Sequence, residues 1–502
     1  MSDLNSLTDD ILKLIMHHVP ARDRLISCCL VSSRWHAAAV AATDALELGP
    51  RDWVPSDSTV RIYKSQRAKA ALEWLGSWGQ HVTSLDFHSF GQTLQQLPCP
   101  SLLELRVVDG CCVQLGRSAS PHPGVIPGCT NLTKLLLTGC NILDSRGGAE
   151  ICGSLSSLVH LQHLHVHPRD EQDEWCTIEG FTSGTLPCLQ QLTFLNVYNL
   201  SSENISELSA LTNLQDLGLK ADSSVVVGPN NIPGLVLPKS LEILILWGPF
   251  AVVEAEILLA VPTGLKDLCF HCAVEGPEEG PGSLLSCMAL VQNLTKLHLY
   301  VAQEDVDLPP PGPAYSALTA SSNLVELCVY GNGLPVGVWP FMFPAARTLP
   351  HLTHFGAPFA YGCNEPVLHG AWGAADVACL VRCCPNLRTI EELAMQYGSH
   401  VSQLHKLTAL TKAELNYGAA ADRSAVQETM HGLTALTQLR GLSVNVYCYV
   451  VGVAAVLPLT ALTSLSSMSF TCSLNPLDPD NDDLEVEVYL HQVSHMACLD
   501  FC

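Results

Sequence analysis

Two patterns of apolar residues divide the chain. Over the first fifty residues the apolar positions recur every three to four residues, which is the spacing of an amphipathic helix. From Val82 onward they follow a cassette with leucine or a similar residue at the first, fourth and sixth positions. The alternation inside the cassette is that of a short strand with one buried face. The sequence therefore predicts a small helical unit followed by a long array of strands.

The helical unit begins with one short amphipathic helix. Apolar residues between Leu7 and Val19 fall on one helical face, and Thr8 is a candidate N-cap with two aspartates in the first turn. Pro20 ends this helix. A second helical stretch follows and leads to an alanine-rich third piece that ends near Leu48. So few residues cannot bury this much apolar surface alone, so a partner is expected.

The segment LTDDILKLIMHHVPARDRLISCCLVSSRW resembles the F-box signature, which reads Leu-Pro-x-Glu-hydrophobic-Leu-x-x-Ile, then Pro-x-x-Asp, then Val-x-x-x-Trp. Matching positions are occupied by Leu7, Asp10, Ile11, Leu12, Ile15, Pro20, Asp23, Val31 and Trp35. Thr8 replaces the family proline, and Arg24 replaces an apolar residue. These two departures lower the affinity that we expect for the family's adaptor.

The resemblance implies that this helical unit docks on a Skp-type adaptor, which joins it to a cullin scaffold and a ubiquitin-conjugating enzyme. Exposed apolar helices suit such an interface. The residues that we expect to bind the adaptor are Leu7, Ile11, Leu12, Ile15, Pro20, Leu25, Val31 and Trp35. The alternative is an ordinary helical cap on the strand array, since terminal repeats need caps.

The strand cassette Leu-x-x-Leu-x-Leu resembles the leucine-rich repeat, and sixteen copies are predicted at intervals of 20 to 35 residues. Their first positions are Val82, Leu102, Leu132, Leu161, Leu192, Leu214, Leu241, Leu265, Leu294, Leu324, Leu352, Leu387, Leu410, Leu439, Leu465 and Met496. The expected fold is an α/β leucine-rich-repeat solenoid with a curved parallel sheet, preceded by a small all-α F-box. The expected domains are the F-box at 4–48, a connector helix and N-terminal cap at 49–80, and the solenoid at 81–502.

Three places in the array need a further interpretation. Asn141 matches the repeat motif and is expected to bond the backbone of neighbouring turns. The pattern weakens over residues 335–393, where Glu392 takes an apolar slot, which predicts a bend or an insertion. The last predicted strand, Leu499–Phe501, leaves an open sheet edge. Truncation of the sequence, a partner at that edge, or folding back of residues 478–490 would each account for it.

The face that reads a target is predicted from strand alternation. Residues at the fifth and seventh cassette positions point away from the core, onto the concave face of such a solenoid. The predicted substrate-binding residues are His165, His167, Tyr198, Lys220, Trp247, His271, His298, Tyr300 and Tyr330. Aromatic and imidazole side chains are favoured at interface cores, although they also suit strand surfaces in general. Lys220 is the one formally charged residue among the fifth and seventh positions of the fourth to tenth units, so no anionic cofactor is expected.

Several groups imitate metal or catalytic sites, and none is predicted to be one. Cys269 and Cys272 should point to opposite faces of a strand, and His165 with His167 lack a third ligand. The segment from His491 to Cys502 has helical metal-ligand spacing but also fits the repeat register. The acidic run at residues 478–487 lacks the glycine of a calcium loop. No catalytic motif is present, so we expect no catalytic residue, no metal and no cofactor.

Composition narrows the kind of partner and compartment. The chain has 25 Lys and Arg against 48 Asp and Glu, a formal charge of -23, which disfavours nucleic acid and anionic membranes. No secretory signal or spanning segment is recognisable, and 22 cysteines suit a reducing compartment. The sequence predicts a cytoplasmic or nuclear substrate-recognition subunit of an SCF-type ubiquitin ligase. Alternatives are a leucine-rich-repeat scaffold of the cytoskeleton or cilium axoneme with no ligase role, and, least favoured, an enzyme.

Overall fold

The structure is a computed structural model of the 502-residue chain. The residues it describes are 7–19, 33–41, 45–48, 75–76, 79–88, 93–94, 97, 99–108, 112–114, 129–139, 141–143, 155–167, 184–198, 202–220, 237–247, 261–273, 288–302, 312–330, 337–357, 372–395, 399–417, 423–447, 457–473, 486–493 and 496–501. They fall into two compact units, Met1–Leu241 and Glu242–Cys502. Each unit is described by itself.

The helices are short. The α-helices are α1 Asp9–His17, α2 Ser33–Ala41, α3 Ser202–Glu207, α4 Trp339–Met342, α5 Ala374–Cys383 and α6 Arg423–Leu433. The 3₁₀ helices are Gly79–His81, Leu155–Ser157, Leu186–Cys188, Leu208–Ala210, Gly312–Thr319, Ser399–Lys406 and Leu457–Ala461. None of the helices in these ranges is long and apolar enough to cross a membrane.

The first unit contains a parallel sheet whose strands pair in chain order. Its strands are β1 Ala45–Leu48, β2 Ser84–His88, β4 Glu104–Val108, β6 Lys134–Thr138, β8 His163–His167, β9 Phe194–Tyr198 and β10 Asp216–Lys220. A second, short parallel sheet joins β3 Thr93–Leu94, β5 Cys112–Gln114 and β7 Asn141–Leu143. Asn141 therefore begins a strand, and its side chain lies outside the described residues.

The second unit continues the same pattern with parallel pairing in chain order. Its parallel strands are β11 Ile243–Trp247, β12 Asp267–Ala273, β13 Lys296–Ala302, β14 Glu326–Tyr330, β15 His354–Gly356, β16 Thr389–Met395, β17 Lys412–Tyr417, β18 Gly441–Tyr447 and β19 Ser467–Ser473. Each begins two residues after a predicted cassette start. The predicted leucine-rich-repeat fold is confirmed.

Two predicted elements differ from the structure. The stretch Ala45–Leu48, expected as the end of the helical unit, is the strand β1 and pairs with β2, because parallel backbone pairing is available there. The sixteenth unit, from Met496, is not a parallel repeat strand. Instead β20 Val486–Val493 and β21 Met496–Phe501 form a hairpin, and β20 pairs antiparallel with β19. Part of the 478–490 segment thus folds back on the edge of β19.

The core of each unit consists of the first, fourth and sixth cassette positions. Leu161, Leu164 and Val166 are buried in the first unit, as are Leu155 and Leu158 upstream of them. In the second unit the corresponding leucine and valine residues from 433 to 444 are also buried. Parallel strands stacked in register place these side chains in columns, so each repeat buries its apolar face against the next.

Side-chain hydrogen bonds to the backbone of the preceding repeat supplement this core. The Nδ2 of Asn131 donates to the carbonyl of Pro100 at 3.0 Å, and Thr133 Oγ1 donates to that of Leu103 at 3.0 Å. Asn213, Asn293 and Asn386 make the same kind of bond to carbonyls in the repeats before them. These bonds tie the turn into each strand to the repeat before it, and the carbonyl of Leu103 also accepts the backbone N–H groups of Thr133 and Lys134.

The weak stretch at 335–393, predicted to be a bend or an insertion, keeps the parallel pairing of the repeats from β14 to β16. Helix α5 lies between β15 and β16, and aromatic residues replace leucines in the core beneath them. Trp339 stacks on Trp372 with ring centroids 4.1 Å apart, and Phe355 meets Trp372 edge-on. In β16 the register shifts between Ile390 and Leu393, and Glu392 has a φ of 47°. This bulge keeps the carboxylate of Glu392 out of the apolar core.

Candidate protein-binding surfaces

Helix α1 is capped as the sequence predicts. Thr8 accepts a hydrogen bond from the backbone N–H of Ile11 at 3.4 Å. The threonine that replaces the family proline therefore supplies an N-cap at the same position. Arg34 of α2 donates to Asp9 at 2.7 Å and also to the carbonyl of Leu7. These contacts hold the start of α1 against α2.

The inward side of α1 forms a small core with α2. Leu12 is 1% exposed and Met16 is fully buried, and both pack with Ala38 and Ala39, while Trp35 is partly buried against them. Leu12 was also predicted to contact the adaptor; its side chain is buried against α2 in this structure, and its contact with an adaptor stays a prediction. Leu12 holds the two helices together.

The outward side of α1 is apolar and exposed. Ile11 is 46% exposed, Leu14 61% and Ile15 41%, and these three side chains are called the apolar α1 face. Ile11 and Ile15 belong to the predicted adaptor-binding set, whereas Leu14 is an addition from the structure. Leu7 is half-buried, and the predicted contacts Pro20, Leu25 and Val31 lie outside the described residues. An exposed apolar cluster of this kind is typical of a protein interface.

The predicted substrate stripe is spread over both units. In the first unit His165 and His167 lie on the same face of β8 with ring centroids 6.4 Å apart. Burial, and then the neighbouring His167, lower the pKa of His165, so this imidazole is mainly neutral at pH 7. The side chains of Tyr198, Lys220, Trp247 and His271 lie outside the described part of the chain. Their role stays a prediction.

In the second unit the outward residues of adjacent strands line up in rows. The third cassette positions pair as Asp267, Lys296 and Glu326, and the fifth positions pair as Cys269, His298 and Cys328. Tyr300 and Tyr330 are paired at the seventh position. Together with His354 and Glu391 on β15 and β16, these residues form a surface that we call the outward polar face. The structure thus brings together three predicted substrate-binding residues, His298, Tyr300 and Tyr330.

Glu326 is the centre of this face. Its Oε2 lies 3.1 Å from Lys296 Nζ, and its Oε1 lies 2.9 Å from His298 Nε2. Partial burial alone would raise the pKa of Glu326, but the hydrogen bond and charge of Lys296, with His298 and His354, lower it. The same bond to Glu326 raises the pKa of Lys296. Both groups are therefore charged at pH 7.

The tyrosines form the aromatic end of the face. Tyr300 stacks on Tyr330 with ring centroids 4.1 Å apart and an interplanar angle of 6°. Burial, and then the neighbouring Cys328, raise the pKa of the Tyr330 hydroxyl above its usual range. Burial also raises the pKa of the Cys328 thiol to about 12. A protonated thiol is a poor nucleophile, so Cys328 is not activated for covalent chemistry in this arrangement.

Carboxylates concentrate at the β16 end of the face. His354 and Lys412 both contact Glu391, at 3.2 and 3.5 Å. Burial, and then repulsion from Glu414 and Glu391, raise the pKa of Glu392. Burial also raises the pKa of Glu414. The bulge in β16 explains this concentration, because it presents two successive glutamates where a regular strand would present one.

The sequence prediction did not include the charged residues of this face, because it used only the fifth and seventh cassette positions. The third position also points outward, and it supplies Asp267, Lys296 and Glu326. The third positions therefore add charged groups to a face whose fifth and seventh positions are nearly uncharged. Period-two alternation already contained the signal, since residues three, five and seven share one face.

Comparison with known proteins supports the two parts of the chain unequally. The F-box domain family matches residues 4–40. No curated protein matches the sequence. The crystal structure of an internalin (inlF) from Listeria monocytogenes is similar at a TM-score of 0.39 and 17% identity, covering 80% of this chain and 93% of that one. The repeat architecture rests on the strand pairing itself. Residues 4–40 thus match the F-box domain family, and the remaining described part of the chain has the leucine-rich-repeat fold.

Proposed function

We propose that this protein is the substrate-recognition subunit of an SCF-type E3 ubiquitin ligase. In this proposal the F-box binds a Skp-type adaptor, and through it a cullin, while the repeats hold a client protein. The client is thereby presented for ubiquitination and proteasomal degradation. The observation that carries the proposal is the apolar α1 face, which lies inside the segment that matches the F-box family.

The adaptor contact has a physical rationale in the exposure of that face. Ile11, Leu14 and Ile15 point away from the core that Leu12 and Met16 form with α2. Burying a large aliphatic side chain contributes about 1.5 to 3 kcal/mol. An apolar groove on an adaptor would supply this burial, which the described residues of the chain do not.

The client contact is assigned to the outward polar face of the second unit. Aromatic side chains beside charged groups give both buried area and directional hydrogen bonds, as protein interfaces require. The chain itself then needs no catalytic residue, since holding a client near a conjugating enzyme supplies proximity. We also propose a cytoplasmic or nuclear location, where the partners of such a ligase act.

The adaptor contact is tested by measuring the affinity of the purified full-length protein for a purified Skp-type adaptor. The double variant Ile11→Asp, Ile15→Asp should weaken binding by more than about 100-fold, because two hot-spot side chains would meet an apolar groove as charges. Lys13→Asp is the matched control, since Lys13 is exposed on another side of the same helix. It should bind almost as the unaltered protein does.

Unchanged adaptor binding by the double variant would overturn the proposal. Failure of the unaltered protein to bind any Skp-type adaptor would favour the scaffold alternative. The double variant has a second use, because it retains every described element of the repeats. Proteins captured on it in cells can be identified by mass spectrometry as clients that are held without being ubiquitinated.

A further inference from the structure

A group of metal-ligating side chains lies at the centre of the outward polar face. His298, Glu326 and Cys328 each offer one ligand atom, and these atoms all lie within 4.8 Å of one another. His298 Nε2 and Glu326 Oε1 lie 2.9 Å apart. We propose that these three residues form a binding site for a zinc-class divalent cation. The proposal is independent of the ligase role, because it concerns binding of the ion alone.

Strand register builds this group. His298 on β13 and Cys328 on β14 are direct cross-strand partners, and Glu326 precedes Cys328 by two residues on the same face. Directly paired residues of adjacent strands are about 4.8 Å apart at the backbone. Their side chains converge on one point without any loop, so the ligands stand on regular strands. Such sites are held more rigidly than sites built on loops.

The donor set favours zinc over harder cations. Thiolate, imidazole and carboxylate are the protein ligands of Zn²⁺, at about 2.0 to 2.3 Å from the ion, whereas Mg²⁺ and Ca²⁺ take oxygen ligands. A tetrahedral ion with those bond lengths holds its donors roughly 3.3 to 3.7 Å apart. The donor atoms are now 2.9 Å apart for His298 and Glu326 and no more than 4.8 Å apart for the other pairs, a range that brackets this spacing. Three protein ligands leave one tetrahedral position for water or for a side chain of a bound protein.

Neighbouring residues orient the ligand side chains and leave space around them. Lys296 contacts the second oxygen of Glu326 at 3.1 Å, which leaves the first oxygen directed at His298. Lys296 therefore acts as a positioning residue. Next to Cys328 on β15 stands Gly356, where a Cβ atom would lie 3.0 Å from the Cys328 sulfur. Glycine at this position leaves the sulfur room to turn towards an ion.

Binding requires the loss of one proton. Burial raises the pKa of the Cys328 thiol to about 12, so the sulfur is protonated in the free protein at neutral pH. When the zinc–sulfur bond forms, the S–H bond breaks and the proton passes to water. Zinc also takes the place of the proton on His298 Nε2 that faces Glu326, and that proton moves to Nδ1 of the same ring.

The test is a zinc titration of the full-length protein in competition with a chromophoric chelator, which reports the affinity for zinc. Bound metal is first removed from the protein, and its cysteines are kept reduced. Because the chain has 20 His and 22 Cys, the readout is the difference between variants rather than the total zinc bound. Cys328→Ser, Glu326→Gln and His298→Ala should each remove one tight equivalent. The loss should exceed the roughly 10- to 100-fold that changing a supporting residue costs.

The matched control is Cys269→Ser. Cys269 pairs with His298 on its other side, and burial likewise raises the pKa of its thiol to about 12, yet it lies outside the ligand group. It should retain the tight equivalent. Cobalt in place of zinc should give a sulfur-to-metal charge-transfer band in the unaltered protein and in Cys269→Ser. Cys328→Ser should lack the band.

Zinc should also raise the melting temperature of the unaltered protein and of the control. It should not raise that of Glu326→Gln, a variant of similar size at a partly buried surface position, whose fold should survive. Equal zinc stoichiometry and an unchanged cobalt band in all three ligand variants would overturn the proposal. Loss of the band in Cys269→Ser to the same degree as in Cys328→Ser would overturn the assigned ligands.

Discussion

The apolar α1 face and the outward polar face differ in the interaction that each can offer a partner. On α1, three large aliphatic side chains are exposed and have no charged group among them. On β12–β17, the polar groups already satisfy one another, as Glu326 does with Lys296 and His298. A partner of the first face gains by removing apolar surface from water. A partner of the second face must exchange existing hydrogen bonds for new ones, which favours specificity over affinity.

The largest expected effect is on the free energy of unfolding and concerns the buried core, which belongs to neither face. Leu217 is fully buried, whereas Leu14 is 61% exposed. Leu217→Ala should lower the free energy of unfolding by about 2 to 5 kcal/mol, because burial is lost and a cavity forms. Leu14→Ala should change it by no more than about 0.5 kcal/mol. Urea denaturation of both variants measures the difference, and similar losses would mean that Leu14 is a core residue.

The next effect concerns client recognition. Changing Tyr198, Trp247 and Tyr300 together to alanine should reduce recovery of clients by more than about tenfold, since aromatic anchors dominate interface energies. Adaptor binding should be retained, because these residues lie far along the chain from α1. Quantitative mass spectrometry after affinity purification measures both. Undiminished client recovery would show that these aromatic residues do not form the client-binding surface.

Salt should separate the two faces further. Raising the ionic strength from about 0.05 to 0.5 M should weaken client binding by roughly tenfold, because charge pairs at a partly exposed surface are screened. Adaptor binding to the apolar α1 face should change by less than about twofold. Titration calorimetry at both salt concentrations gives the two dissociation constants. An equal response would contradict the distinction between the faces.

The smallest effect concerns the carboxylates of the β16 bulge. The pKa of Glu392 is raised above its unfolded value of 4.5, so its charged form opposes folding at pH values above the folded pKa. As pH falls towards 4.5 the group is protonated in the fold and the penalty disappears. Glu392→Gln should therefore stabilise the protein near pH 7, by less than about 1 kcal/mol because of solvent screening.

The same variant should bring no gain near pH 4. Lys412 and Glu391 remain unchanged in it, so the difference isolates the one carboxylate. Thermal denaturation at the two pH values measures it. A gain of equal size at both pH values would show that the charge of Glu392 is not responsible.

How much could be predicted from sequence depended on the range of the interaction. Helix α1 was predictable because its N-cap, the aspartates of its first turn and the helical spacing of its apolar residues all lie within about ten residues. The repeat strands were predictable for a similar reason, since each cassette contains its own alternation. The hairpin of β20 and β21 was not, because residues 490–501 continue the cassette spacing while their pairing is antiparallel and depends on the edge that β19 offers.

The amino-acid sequence by itself determined the two kinds of element, which residues each would bury, and the F-box resemblance at the N-terminus. Only the tertiary structure decided which side of α1 stays exposed, since Leu12 and Ile11 are equally apolar and differ only in whether α2 covers them. Only strand register decided that His298 would face Cys328 with Glu326 beside them. Local patterns describe one repeat at a time, whereas a surface assembled across strands depends on how repeats are aligned.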